Sequence, residues 1–354
     1  MNGAECKRVL AEHARTLGCA AFGVTRAVPL RDGGRLRAWI DRGDHADMDY
    51  LARQAEQRAD PRRWLPEARS VICVAVRYGP PPRQAPPPRA PTDARLAQLF
   101  VGADYHRVLH RLLEALADQG RRLAGAHSQW VAAVDTQPLL ERSLAVQAGL
   151  GTIGRHTQLI VPGVGTEVAL GELITDVALP PDAPVEASPC ASCSKCLTAC
   201  PTGALRAGRG LDARRCLSYH TTASRGDIPE AHRTALGDRV YGCDECQRVC
   251  PWNNPDRSRP VPIHPDLTGS TAVALDRLHR WLTLSGKALK RELAGTALHW
   301  LPRATLARTI CVVLGNLARE ESREVLTLVA QGDRDPRVRE HARWALARLE
   351  ARVS

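Results

Sequence analysis

No apolar run in the 354-residue chain approaches the roughly 20 residues that span a bilayer, so no membrane segment is expected. A signal-peptide core is also missing: Glu5, Lys7, Arg8 and Glu12 break up the stretch from Met1 to Cys19, which has the pattern of an amphipathic helix. Nothing suggests a disulfide framework. Cys6, Cys19, Cys73 and Cys311 stand singly among apolar neighbours, as reduced thiols in a cytoplasm do. What the chain does have is length for two or three domains, 44% hydrophobic residues and a formal charge of +11. The excess of positive charge suggests an anionic partner, with nucleic acid the first candidate.

The other eight of the twelve cysteines fall in one stretch. Cys190, Cys193, Cys196 and Cys200-Pro201 give C-x₂-C-x₂-C-x₃-C-P, the run of two-cluster bacterial ferredoxins. Cys243, Cys246 and Cys250-Pro251 repeat its end, with Cys216 upstream as the missing ligand. Three cysteines two apart wrap one cubane, and the fourth reaches the other cluster. Cys190, Cys193, Cys196 and Cys250 are therefore assigned to one 4Fe–4S cluster, and Cys200, Cys216, Cys243 and Cys246 to the second. A zinc ribbon or disulfides are the plainer readings of clustered cysteines, but zinc wants CxxC pairs rather than a triple run ending in CP.

Periodicity predicts a helix from Lys7 to Leu17, a strand over Ala20 to Val24, a helix from Gly33 to Asp41 and a buried strand from Ser70 to Tyr78. Residues 80–91 hold seven prolines and read as a surface loop. Asp104-Tyr105-His106 opens an amphipathic helix. It lacks the glycine of the D-x-H-x-x-G motif that places a His on cobalt in one class of corrinoid proteins, because Leu109 stands there; His106 reads as a surface or helix-capping residue.

A strand over Trp130 to Val134 leads to Asp135. This residue has two readings: the N-cap of a helix with Pro138 in its first turn, or an acid at a strand end aimed into a pocket. Gly149, Gly151 and Gly154 match G-x-G-x-x-G in form but follow a helix, so they make a poor phosphate cradle. Leu159 to Val161 and Val168 to Ile174 are two further strands. Residues 253–354 carry 17 Lys/Arg against 11 Asp/Glu. Helical stripes there (Leu306, Ile310, Val313, Leu317; Val325, Leu328, Val329) precede Asp335-Pro336, which opens a third helix, as in HEAT-type repeats. Its Arg face is a candidate phosphate-binding surface.

Taken together, Asp135-Thr-Gln-Pro-Leu-Leu-Glu141-Arg142, Ala148-Gly-Leu-Gly-Thr-Ile-Gly-Arg-His-Thr157, the eight-cysteine module and Gly237-Asp-Arg-Val-Tyr-Gly-Cys-Asp-Glu-Cys246 resemble the epoxyqueuosine reductase family over nearly the whole chain. The resemblance implies a cobalamin-dependent, two-cluster enzyme related to reductive dehalogenases, which reduces the epoxide of epoxyqueuosine at the tRNA wobble position to the alkene. It further implies that Asp135 is the proton donor, and that Arg58, Asp135, Gly154, His156, Leu170, Ser218, Cys243 and Asp244 line the cobalamin, with no protein His on cobalt. An acid beside an apolar corrin face would have a raised pKa suited to that role. The chain departs from the family pattern at Gln137, Thr152, Arg155-His156 and Tyr219 to Arg225.

The expected organisation is an α+β or α/β cobalamin-binding domain (1–178), a ferredoxin-like domain with two clusters (179–258) and a HEAT-like helical domain facing tRNA (259–354). A monomer fed by a low-potential electron donor is sufficient. The competing readings are a dehalogenase-like corrinoid reductase of a small molecule and a non-catalytic ferredoxin-type carrier. The basic tail speaks against the first, and the large segment before the clusters against the second.

Overall fold

The computed structural model describes residues 2–79, 94–186, 189–253 and 261–353. The proline-rich loop expected over 80–91 lies outside them. In chain order the strands are β1 (Ala21–Arg26), β2 (Ser70–Arg77), β3 (Ala94–Leu96), β4 (Trp130–Ala133), β5 (Thr152–Ile153), β6 (Leu159–Ile160), β7 (Val168–Thr175), β8 (Leu205–Arg206), β9 (Gly210–Leu211), β10 (Arg239–Tyr241) and β11 (Ala272–Val273).

The main sheet has the order β1-β2-β7-β4, and every neighbouring pair is antiparallel. This makes the N-terminal part α+β rather than α/β. The rule that ligands sit beyond the carboxyl ends of a parallel sheet therefore does not itself place a site here.

β2 is buried along its whole length because helices cover both faces. Ile72, Val74 and Val76 meet Leu10 from the helix Gly3–Thr16, and Leu109, Leu113 and Leu116 from the helix Tyr105–Ala124. Val71, Cys73 and Ala75 point the other way, onto Leu144 and Ala145 of the helix Glu141–Gln147. Alternation along a strand produces this division. Each fully buried Leu or Ile contributes about 1.5–3 kcal/mol, so β2 anchors this half of the molecule.

A second sheet places β3 between β10, parallel to it, and β11, antiparallel. Behind it, the helix Arg303–Leu317 is buried on nearly every face, with Leu306, Ile310, Val313 and Leu314 packed among Leu217, Ile228, Val240 and Tyr241. Arg308 on this helix is 1% exposed and donates to the carbonyls of His220 and Ser224 at 2.9 and 2.8 Å. This core joins residues on both sides of position 258. The helices Arg323–Gly332 and Pro336–Val353 complete it.

The first helix starts at Gly3, earlier than Lys7, because the Asn2 side chain caps it by accepting from the Glu5 amide at 2.9 Å. The helix Gly33–Asp41 has the expected bounds. Leu328 leaves its stripe at 60% exposure, since Leu326 takes the buried position. Asp335 accepts from the Arg337 amide at 2.9 Å ahead of Pro336, the cap that the sequence suggested.

Candidate active site and cysteine sites

β4 stops at Ala133 and the next helix starts only at Glu141. Asp135 is therefore not an N-cap. Pro138 disfavours helical geometry at the residue before it, and Gln137 Oε1 pins the loop by accepting from the Val134 amide at 2.9 Å and from Thr136 Oγ1 at 3.0 Å. Asp135 itself has φ of 37°, the left-handed region that Asp tolerates better than most residues.

The Asp135 side chain is met by two neighbours from the start of the helix Tyr105–Ala124. Tyr105 Oη donates to Asp135 Oδ2 at 2.5 Å, and His106 Nε2 lies 3.3 Å from the same oxygen. The rings of Tyr105 and His106 stack with centroids 3.9 Å apart. Behind them, His106 Nδ1 is 2.7 Å from Asp104 Oδ1, and Asp104 Oδ2 accepts from Trp300 Nε1 at 2.8 Å. The helix cap is Asp104, which accepts from the His106 amide. His106 is thus neither a cap nor a surface residue but the link between two carboxylates. An imidazolium satisfies both of them.

Charges in this cleft divide unevenly. Burial pushes the Asp135 carboxyl up, but the bonds from His106 and Tyr105 outweigh it and hold the group below its ordinary range. The Asp135 side chain nonetheless remains 54% exposed. The raised acid is Glu141: burial, then the Asp135 charge, push it up to about 8. Burial pulls His106 down, but Asp135 and Asp104 prevail and raise it. Glu172 on β7 is fully buried, neither oxygen has a hydrogen-bond partner among the described residues, and burial followed by Glu141 and Asp135 pushes it well up. Arg58 lies beside this cleft, its guanidinium 5.7 Å above the Tyr50 ring.

The cysteines gather in two groups. Cys190, Cys193, Cys196 and Cys250 line one small pocket with His156 and Trp252. The Arg155 amide points at Cys190 Sγ from 3.3 Å. Elsewhere, Cys246 is raised by burial and then by its neighbours Cys243, Cys216 and Cys200. The Ala204 amide donates to Cys200 Sγ at 3.2 Å. Gly242, just before Cys243, has φ of 75°, and a Cβ there would sit 2.5 Å from the Phe100 ring, so this position demands glycine.

The remaining candidate residues are spread around these groups. His156 is buried: Nδ1 accepts from the Gln158 amide at 3.1 Å, Nε2 has no partner among the described residues, and burial with the Arg142 charge lowers the ring to about 4. Gly154 lies against it, a Cβ there falling 2.7 Å from His156 Cε1. Asp244 Oδ2 accepts from the Gln98 amide at 3.0 Å. Ser218 lies in the helix Leu217–Thr222, and Leu170 opposite Ala75 on β7. Asp135 and Arg58 share the cleft, Gly154 and His156 adjoin the first cysteine group, and Cys243 and Asp244 belong with the second. The three glycines hold chain segments close: a Cβ at Gly151 would strike the Ile160 carbonyl. Sequence reasoning missed Tyr105, Glu141, Glu172 and Trp300 as members of the site. Glu141 stood within the quoted family stretch, but nothing local joins Trp300 to Asp104.

Residues 189–253 match a 4Fe–4S double cluster binding domain, and residues 58–136 match the domain described as epoxyqueuosine reductase QueG, DUF1730. The epoxyqueuosine reductases of Salmonella typhimurium and Escherichia coli are each 35% identical to this chain, over 94% of it and 85% and 86% of their own lengths. A crystal structure of epoxyqueuosine reductase with an epoxyqueuosine-modified tRNA-Tyr stem loop superposes with a TM-score of 0.87 at 30% identity, covering 98% of this chain and 91% of that one. The enzyme from Streptococcus thermophilus gives 0.84 at 29%, covering 98% of this chain and 90% of that one. A chain this similar over nearly its full length, with its eight cysteines in two groups and an aspartate held at the end of β4, belongs to the epoxyqueuosine reductase family.

Proposed function

We propose that this chain reduces the epoxide of epoxyqueuosine in the tRNA anticodon to the alkene, releasing the oxygen as water, with cobalamin and two 4Fe–4S clusters as its cofactors. The observation that carries this reading is the convergence of Tyr105 and His106 on Asp135 in a chain that gathers eight cysteines into two groups. Removing the oxygen as water takes two electrons and two protons.

Cys190, Cys193, Cys196 and Cys250 would hold one cluster, and Cys200, Cys216, Cys243 and Cys246 the other. The small four-cysteine cavity, with the Arg155 amide beside one thiol, fits a cubane. For cobalamin, the fit rests on buried donors with no acceptor among the described residues: Arg58 Nε, Gln98 Nε2 and His156 Nε2. The amide-fringed edge of a corrin offers the carbonyls they lack. Arg58, Gly154, His156, Leu170, Ser218, Cys243 and Asp244 are the residues that would line it. Bound there, cobalamin would supply the strong reductant that C–O cleavage needs, and the clusters would pass it electrons one at a time.

The protein's own part is the proton. Asp135, ionised at rest, would relay to the leaving oxygen the proton of His106, which Asp104 and Asp135 hold as an imidazolium. Tyr105 fixes the rotation of the carboxyl. The helical tail, HEAT-like in the helix opened by Asp335-Pro336, presents its Arg face to the RNA. A monomer in the cytoplasm, supplied by a low-potential donor, completes the reading.

The deciding experiment is anaerobic turnover of a stem loop carrying epoxyqueuosine by reconstituted protein with cobalamin and a low-potential reductant, read by mass spectrometry of the nucleoside. Loss of one oxygen is the expected outcome. No conversion with clusters and cobalamin intact would overturn the reading in favour of a small-molecule corrinoid reductase.

A further inference from the structure

Trp300 is 61% exposed, yet its indole nitrogen is bonded at 2.8 Å to Asp104, which is 2% exposed. The ring is therefore pinned by one edge while its surface stays open. The segment that carries it is fastened to the site as well: the Asp104 amide donates to the Gly295 carbonyl at 2.8 Å, and Ala297 is buried in the core around β2. Three hydrogen bonds, Trp300 to Asp104, Asp104 to His106 and His106 to Asp135, lead from this indole to the candidate acid.

Next to Trp300, His299 packs edge-on at 5.5 Å and lines a cavity of about 550 Å³ with Lys287, Lys290, Arg291 and Arg303. Among the described residues the lining includes no acid, although Arg303 is paired with Asp333 at 2.8 Å outside it. A fixed, open aromatic face beside a basic concavity is the combination that binds unpaired nucleotides, the base stacking on the ring and the backbone lying in the positive groove. A ring already pinned loses little freedom when a base settles on it.

We propose that Trp300 is the stacking platform for an unpaired base next to the reacting nucleotide, and that the cavity beside it receives the adjoining phosphate. This rests on the reading of the substrate as a tRNA anticodon loop. It assigns the tail a task at the site itself: the nucleotide that stacks on Trp300 registers its neighbour against Asp135.

The test uses the reconstituted full chain and the modified stem loop, with affinity from fluorescence anisotropy and conversion from mass spectrometry in the same preparations. Trp300→Ala should weaken binding about 5- to 150-fold, the worth of one stacked base, whereas Trp300→Phe, which keeps a flat ring but loses the N–H, should stay within about threefold. With the unaltered protein, an abasic nucleotide at one loop position beside the wobble should weaken binding by a similar factor, and Trp300→Ala should add nothing further to that loss. Lys290→Ala should lower the slope of log Kd against log salt by about one.

Equal losses for Phe and Ala would assign the effect to the bond with Asp104 and overturn the platform. So would binding that no abasic position weakens. If the unaltered protein converts the stem loop while Trp300→Ala binds it undiminished, the platform fails and the function stands. If the unaltered protein does not convert it, both fail.

Discussion

The Asp135 amide donates to Glu141 Oε1 across 2.5 Å, so the candidate acid is tied through its backbone to a second carboxyl while its side chain turns to Tyr105 and His106. The two acids cannot both be ionised cheaply in one cleft. Two hydrogen-bond donors keep the charge on Asp135, and Glu141 keeps its proton up to about 8.

Removing the acid tests the first consequence. Asp135→Asn should lower kcat by about 10²- to 10⁴-fold, the usual worth of a positioned proton donor, with the cluster and cobalamin absorbance unchanged. Undiminished turnover would remove Asp135 from the chemistry.

The second concerns His106. Its imidazolium is favoured by Asp135 and Asp104, so its pKa in the folded protein is raised. Activity that draws on this proton is full at low pH and falls as pH rises through the raised value. His106→Gln should reduce kcat on the order of tenfold, about 1.4 kcal/mol, and abolish that descending limb. An unaltered pH profile would show that the proton arrives by another route.

Glu141 makes a prediction about stability. Its pKa lies near the ordinary value of 4.5 when unfolded and at about 8 when folded, so between these values the native state binds the extra proton. Stability contributed by this group therefore declines as pH rises from about 4.5 to 8. Glu141→Gln keeps an oxygen for the Asp135 amide and removes the titration. It should be the more stable protein at pH 8, by on the order of 1 kcal/mol or more, with the gap closing toward pH 5. Parallel denaturation curves at both pH values would refute this.

Glu172 offers a control away from the cleft surface. Its side chain is fully buried and neither oxygen has a hydrogen-bond partner among the described residues. Glu172→Met, similar in length and apolar, should raise stability by about 1–3 kcal/mol, the cost of an unpaired buried polar group. A lower melting temperature would mean that the carboxyl has a partner the fold depends on.

What the sequence revealed was local. The cysteine spacing is set by how a short chain wraps a cubane, and β2 announced itself because every residue of it is buried. The helix Gly33–Asp41 followed from its own pattern. Asp135 could be named through the family stretch, but its partners could not. His106 is 29 residues away and Trp300 lies 196 residues from Asp104, and only the packing of the helix Tyr105–Ala124 and of the 295–300 segment brings them in. The antiparallel sheet was hidden for the same reason, since strand partners are chosen by helices that cover both faces. The N-cap reading of Asp135 failed because Pro138 and the Gln137 side chain hold the chain out of helix until Glu141.

The second sheet draws its three strands from residues 94–96, 239–241 and 272–273, and the core behind it extends to Leu349. Cys243 and Cys246 follow directly on β10, so their final spacing depends on chain synthesised long after them. During translation these thiolates emerge before the scaffold that will position them. Cluster insertion into the second group should therefore be a late event, completed only after the helical tail has left the ribosome and folded back. A chain cut short within that tail should retain its cysteines yet load iron poorly.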